Sequence, residues 1–121
     1  MFRRKLNEII ERTDGAVAAI IMGTDGIEVE KVMRLEGQDL NLDVAAATFT
    51  SLVRNAQKNG KEIGLGELRE QVLLFDRAWI IIRLMSRDYF VMLALLPGGS
   101  LGRGRFELRK TELELAHEFA L

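Results

Sequence analysis

The stretch closest to a phosphate-binding motif runs from Gly99 to Phe106, in the order Gly-Ser-Leu-Gly-Arg-Gly-Arg-Phe. It follows an apolar run and opens a helical pattern, which is where a P-loop would lie. A P-loop has Gly-x4-Gly-Lys followed by Ser or Thr, but here Arg105 replaces the lysine. Phe106 replaces the hydroxyl group that would hold magnesium. The spacing therefore favours a helix N-terminus with close backbone packing over a nucleotide site.

Residue types that commonly perform catalysis or bind metals are sparse. His117 is the only histidine and the chain has no cysteine, so thiolate chemistry and a Ser-His-Asp arrangement are not expected. Glu28 and Glu30 share one face of a predicted strand, where Lys31 and Arg34 account for them as charged neighbours. The sequence predicts no catalytic group, no metal site and no cofactor. It favours a non-enzymatic protein that works by binding another protein.

The composition is that of one globular domain over residues 1–121. Of these residues 48% are hydrophobic, and 17 basic and 18 acidic side chains give a formal net charge of -1. Near the C-terminus the two signs are interleaved in one helical pattern: Arg103, Arg105, Glu107, Arg109, Lys110, Glu112 and Glu114. This interleaving indicates a solvated helix face and not a nucleic-acid surface.

No targeting or membrane-spanning segment is predicted. The N-terminus has a basic start, but no apolar region follows it as in a signal peptide. The longest apolar runs, Ala16 to Met22 and Phe90 to Leu96, are far shorter than the ~20 residues that span a bilayer. Together with the lack of cysteine, this pattern predicts a cytoplasmic protein without membrane insertion.

The first third of the chain predicts a helix followed by two strands. An amphipathic helix ends at the turn that contains Gly15. The continuous apolar run Ala16 to Met22 is typical of a strand buried on both faces. Asp25-Gly26 predicts a tight hairpin turn. Alternating residues 27–34 then predict a strand with one solvated face, near a sheet edge.

The longest helical pattern runs from Asn41 to Gly60, with Asp39 or Asn41 as the predicted N-cap and Gly60 as the stop. One apolar stripe has the spacing of a buried helix face: Ala45, Phe49, Leu52, Val53 and Ala56. The neighbouring stripe is small: Ala46, Ala47 and Thr50. A helix with these two stripes is expected to contact its own sheet on one side and a second body on the other.

The last half of the chain predicts three strands and a helix. Strands at residues 67–75, 79–85 and 89–96 are joined by short turns, as in an antiparallel meander. A helix follows from Leu101 to about Phe119. The mixed opening of the third strand, Glu67 to Gln71, suits an edge strand exposed to a partner chain.

The predicted fold class is α+β, in the order α-β-β-α-β-β-β-α. A five-stranded antiparallel sheet with apolar first and last strands needs cover on both faces. We therefore expect a three-layer α/β/α sandwich. The terminal helices are expected on one face and the central helix on the other.

The order of elements and three local motifs resemble the Roadblock family of dynein light chains and its bacterial MglB-like members. The motifs are Gly23-Thr-Asp-Gly26, Gly66-Glu-Leu-Arg69 leading into Leu74-Phe-Asp76, and Pro97-Gly-Gly-Ser-Leu-Gly102 followed by Arg105-Phe-Glu-Leu-Arg109. Together they extend over nearly the whole chain. Ser100 stands where the family often has Asn, which keeps a helix-capping residue.

The resemblance implies a Roadblock/profilin-like fold and a homodimer in which the third strands pair across a two-fold axis. The implied dimer seam is Leu68, Arg69, Glu70, Gln71, Val72 and Leu73. The central helices would lie side by side and bind a small Ras-like GTPase, whose GTP hydrolysis or localisation the dimer would modulate. The implied partner-binding residues are Ala47, Thr50, Ser51, Arg54, Asn55 and Lys58.

Two other classes of function stay open from the sequence. One is a structural adaptor, a homodimeric or heterodimeric scaffold or motor linker with no direct effect on a GTPase. The other is a small-molecule or enzymatic role, which the lack of catalytic groups disfavours.

Overall fold

The computed structural model describes residues 2–34 and 40–119. The first four elements are α1 (Phe2–Arg12), β1 (Ala16–Gly23), β2 (Glu28–Met33) and α2 (Leu42–Glu62). The others are β3 (Glu70–Leu74), β4 (Trp79–Leu84), β5 (Tyr89–Leu95), α3 (Leu101–Glu114) and α4 (Ala116–Phe119). The predicted order α-β-β-α-β-β-β-α is confirmed. The capping candidate Asp39 lies outside the described residues.

The five strands form one antiparallel sheet in the order β2-β1-β5-β4-β3. β1 and β5 take the central positions because their apolar runs have no polar face, and every residue of β1 is buried. Ile20 of β1 lies opposite Met92 of β5, and Leu93 of β5 lies opposite Ile81 of β4. β2 and β3, which carry charged and polar residues, are the two edge strands.

Each face of the sheet carries its own hydrophobic core, as the α/β/α prediction requires. On one face α1 and α3 bury Leu6, Ile9, Ile10 and Leu108 against Ile21, Ile81, Val91 and Leu93. On the other face α2 buries Leu42, Ala46 and Val53 against Ile20, Ile80, Ile82, Phe90 and Met92. The three-layer sandwich, with the terminal helices on one face and the central helix on the other, is confirmed.

Close backbone packing occurs at the start of α3, as the glycine-rich motif predicts. A Cβ atom on Gly99 would lie 2.7 Å from the carbonyl oxygen of Asp14, and one on Gly15 would lie 2.7 Å from the Cα atom of Gly99. The Ser100 N–H donates a hydrogen bond of 2.8 Å to the Asp14 carbonyl. Gly104 is buried against the Ile81 side chain. The glycines therefore dock α3 on the turn after α1.

The two ends of α2 are capped by its own backbone and by Asn41. The Asn41 side chain accepts a hydrogen bond of 3.2 Å from the Val44 N–H, which confirms one of the two predicted N-caps. The prediction that Gly60 ends the helix is wrong, because Gly60 is helical. The Leu65 N–H donates to the Gly60 carbonyl at 2.8 Å, and Gly64 has φ +79°. This Schellman-type arrangement ends the helix after Glu62.

Two other boundaries differ from the sequence prediction by more than one residue. β3 begins at Glu70 and not at Glu67, so the segment before it remains outside the sheet ladder. The predicted single helix to Phe119 ends at Glu114 and is followed by the short α4. Leu115 still donates its N–H to the Thr111 carbonyl, but its φ of -102° and ψ of 15° end α3.

Candidate protein-interaction surface

The buried face of α2 is rotated relative to the predicted one. Its fully buried residues are Leu42, Ala46, Thr50 and Val53. Of the predicted core stripe, Val53 is buried, Phe49, Ala45 and Ala56 are half-buried, and Leu52 is exposed to 36%. The prediction that Leu52 belongs to the core is therefore wrong. The predicted and the observed buried stripes are neighbours on a helix with 3.6 residues per turn. The stripe that is buried is the one that contains Leu42.

Thr50 is buried in the core although it was predicted to face outward. Its side chain and backbone are 6% exposed, and its hydroxyl donates a hydrogen bond of 2.7 Å to the Ala46 carbonyl. That internal bond removes the cost of burying an unpaired hydroxyl. The prediction of Thr50 as an outward partner-binding residue is wrong. The remaining predicted residues are exposed: Ala47, Ser51, Arg54, Asn55 and Lys58.

This orientation of α2 places a flank of small residues beside the β3 edge of the sheet. Ala56 and Asn59 line a cleft of about 700 Å³ together with Leu68, Arg69 and Glu70. Ala45 and Leu52 lie on the same side of the helix as Ala56, because they precede it by eleven and four residues. The small-residue flank is Ala45, Ala56 and Asn59, and the larger Leu52 lies between Ala45 and Ala56 on the same side.

Exposed apolar side chains both precede and follow β3 in the chain. Ile63 and Leu65, in the connection between α2 and β3, are 70% and 75% exposed. Phe75 follows β3 and is 52% exposed, with its ring centroid 6.4 Å from that of Phe49. Apolar groups concentrated along one edge are typical of a surface that another protein covers.

β3 has one unpaired edge within the described structure. It pairs with β4, where the Leu84 N–H donates to the Arg69 carbonyl at 3.0 Å and the Phe75 N–H donates to the Ala78 carbonyl at 3.0 Å. Hydrogen-bonding direction alternates along an antiparallel strand. The N–H and C=O groups of Glu70, Val72 and Leu74 therefore point to the free edge.

The predicted dimer seam falls partly on this edge strand. Glu70, Gln71, Val72 and Leu73 lie in β3, whereas Leu68 and Arg69 precede it. Leu68 and Leu73 pack against the core on the α2 face. Val72 points to the opposite face and is partly exposed.

An ion-pair network fixes β3 to α3. The Arg105 guanidinium contacts the Glu70 carboxylate at 2.7 Å, and Arg83 contacts Glu112 at 2.9 Å. The hydrogen bond to Glu70 raises the pKa of Arg105 above its ordinary value. Arg105 of the P-loop-like motif therefore binds a carboxylate of its own chain.

The charges of α3 are not all on a solvated face, so that prediction is wrong for Glu107. Glu107 is 2% exposed, and its carboxylate lies 2.7 Å from Arg103 and 3.8 Å from Arg12. Two guanidinium groups offset the cost of burying one carboxylate. The sequence showed only an alternation of signs, which does not reveal that Glu107 also lies on the apolar side of the helix.

The other candidate residues are not assembled into a site. Glu30 pairs with Arg3 at 3.3 Å, and Glu28 lies 3.7 Å from Lys31. His117 is exposed on α4. Within residues 2–34 and 40–119, no three His, Cys, Asp or Glu side chains are grouped so that they could hold a metal ion. In the same residues no helix has the length and apolarity to cross a membrane.

Sequence comparison with family models gives no match, and comparison with curated proteins gives none. Comparison of structures does give matches. MglC from Myxococcus xanthus is 30% identical, with 98% of both chains covered and a TM-score of 0.68. An MglB with a tetrameric arrangement is 21% identical, with 98% of this chain and 89% of that chain covered and a TM-score of 0.85. A Roadblock/LC7 domain from Streptomyces avermitilis is 13% identical, with 98% and 97% covered and a TM-score of 0.83.

The sheet order, the two-sided helical cover and the unpaired β3 edge define a Roadblock/LC7-type α/β/α sandwich. The identity to MglC extends this likeness from fold to sequence over nearly the whole chain. The chain belongs to the Roadblock family, among its bacterial MglB-like members.

Proposed function

We propose that this chain is a homodimeric, non-enzymatic adaptor that binds a small Ras-like GTPase and modulates its GTP hydrolysis or localisation. The observation that carries the proposal is the unpaired β3 edge, which lies beside the small-residue flank of α2 and the exposed Ile63, Leu65 and Phe75. An unpaired edge of this kind is a template for pairing with another chain.

A second copy of the chain is the occupant that best fits this edge. Antiparallel pairing of two β3 strands about a two-fold axis would satisfy the outward N–H and C=O groups of Val72 in both chains. It would also bring the two α2 flanks together, where Ala45 and Ala56 permit a close approach of the helices. The tetrameric arrangement of the similar MglB supports self-association as a property of this fold.

Pairing through that flank leaves the outer side of both α2 helices available to a partner. Ala47, Ser51 and Asn55 supply a nearly flat surface of small and polar groups on each helix. Arg54 and Lys58 border it. The family resemblance favours a small Ras-like GTPase as the partner, and a regulator without catalytic groups would act by ordering the GTPase's own residues.

The test uses a GTP-loaded small Ras-like GTPase from the same genome. We expect co-elution with the dimer, loss of co-elution with Ala47→Arg, and retention with Ala116→Arg on α4, which adds the same charge at another exposed alanine. Normal binding by Ala47→Arg would show that the assigned face is wrong. A dimer that binds no GTPase and leaves GTP turnover unchanged would favour the structural adaptor.

A further inference from the structure

A cationic cleft lies at the end of the sheet where β1 and β4 finish, against the flank of α2 that carries Arg54 and Lys61. Its volume is about 370 Å³, and it opens between the C-terminal half of α2 and the turns that follow β1 and β4. Four cations and two carboxylates line it: Arg54, Lys58, Lys61, Arg87, Glu67 and Asp88. The local excess of positive charge contrasts with the net charge of -1 for the chain.

Two of the three cations that α2 contributes to the cleft are neighbours with the same charge and have no ion-pair partner in the described part of the chain. Arg54, Lys58 and Lys61 follow i, i+4, i+7 spacing, which places like charges beside each other and destabilises a helix slightly. Lys61 pairs with Glu67 at 3.4 Å and lies in the last turn, where the helix dipole favours a cation. Within residues 2–34 and 40–119, neither Arg54 nor Lys58 has a carboxylate at ion-pair distance.

Hydrogen bonds to the backbone of the turn at Arg87 fix the wall of the cleft that faces α2. The Arg87 carbonyl accepts a bond of 3.1 Å from the Gln57 side-chain amide and one of 3.4 Å from the Thr24 hydroxyl. The Thr24 N–H donates to the Asp88 carbonyl at 2.8 Å. These bonds join α2 to the turns after β1 and β4. The backbone of Arg87 is therefore held close to the helix that carries Arg54, Lys58 and Lys61.

We propose that this cleft binds a phosphate group. An arginine fork can bind two phosphate oxygens at once, and a lysine ammonium adds a point charge. Four cations against two carboxylates leave an excess of about two positive charges, which matches the charge of about -2 on a phosphate group. The site does not depend on the GTPase proposal, because a phosphate probe tests it without a partner protein.

The first experiment is a titration of the full chain with inorganic phosphate, followed by amide NMR, at an ionic strength of about 0.1 M, where the Debye length is ~10 Å. We expect saturable shifts at Thr24, Lys58 and Arg87. The double variant Arg54→Gln/Lys58→Gln should bind at least about tenfold more weakly, because it loses two charge-assisted contacts. The control Arg109→Gln/Lys110→Gln removes the same charge from α3, on the other face of the sheet, and should stay within about twofold because distant charges are screened.

A second arm measures sedimentation with vesicles that contain phosphatidic acid, a phosphate monoester, which separates a lipid headgroup from a soluble phosphate. The proposal is supported if wild type and the control variant bind a probe and the cleft variant does not. The probe that binds shows whether the phosphate belongs to a soluble molecule or to a lipid headgroup. Equal loss in both variants, or no saturable binding of either probe, overturns it. Arg54 and Lys58 are exposed, so a dispersed amide spectrum is expected for the variant and separates lost binding from lost folding.

Discussion

The Thr50 hydroxyl donates a hydrogen bond of 2.7 Å to the Ala46 carbonyl inside the core beneath α2. This bond satisfies the hydroxyl of a polar residue on the buried face of α2, whereas the apolar Leu52 is 36% exposed. The orientation of α2 decides which residues form the fold and which are available to other proteins.

Substitutions to arginine at two positions of α2 should separate these roles. We expect Thr50→Arg to lower the free energy of unfolding by about 3 kcal/mol or more, because it places an unpaired charge in the core. Ala47→Arg should change it by less than ~0.5 kcal/mol, as at other exposed sites. Urea unfolding of both variants measures the difference. Equal stability would contradict the observed orientation of α2.

The orientation of α2 could not be predicted from the sequence, although its existence could. Ala45, Ala46 and Ala47 occupy consecutive positions and are nearly equal in apolarity, so they do not mark one face. The orientation is fixed by the packing of Leu42, Ala46 and Val53 against the sheet, which is a tertiary contact. Strand order was easier, because β1 and β5 are apolar on both faces and must therefore lie inside a covered sheet.

The docking of α3 on the first turn gives a second prediction. Gly15→Ala would place a Cβ atom 2.7 Å from the Gly99 Cα atom at a φ of +84°. We expect the free energy of unfolding to fall by about 2–4 kcal/mol, because alanine is strained in a left-handed backbone and because Gly99 must move.

Gly26→Ala is the matched control, because Gly26 also has a positive φ but has open space around it. Its free energy of unfolding should fall only by the cost of the left-handed backbone, ~1–2 kcal/mol. Thermal or urea unfolding of the two variants gives the comparison. A larger loss at Gly26 than at Gly15 would contradict the close approach of the two backbones.

The ion pairs of Lys5 predict a dependence of stability on alkaline pH. The Glu114 hydrogen bond at 2.9 Å raises the pKa of Lys5 above 10.5. Because the folded-state pKa is the higher one, the stabilisation is complete below pH 10.5 and is lost as pH rises through the folded value.

The measurement compares wild type with Lys5→Met in urea across that range of pH. We expect wild type to be more stable by up to ~1 kcal/mol at neutral pH, and the difference to shrink above pH 10.5. A difference that stays constant through this range would mean that the ion pairs do not contribute.

Proline at two adjacent positions of β3 should distinguish the free edge from the paired edge. The Val72 N–H points away from β4, so Val72→Pro should leave the monomer folded and prevent pairing of two chains. The Gln71 N–H points toward β4, so Gln71→Pro should lower the stability of the fold itself by ~1 kcal/mol or more. Circular dichroism and size-exclusion chromatography measure both effects. A dimeric Val72→Pro would exclude β3 pairing.

The mass of the wild-type protein in solution is the most direct test of the proposed assembly. Sedimentation equilibrium at micromolar concentration should give twice the chain mass of 13.7 kDa, and Val72→Pro should give the mass of a single chain. A wild-type protein that sediments as a monomer at this concentration would contradict the proposal that a second copy covers the β3 edge.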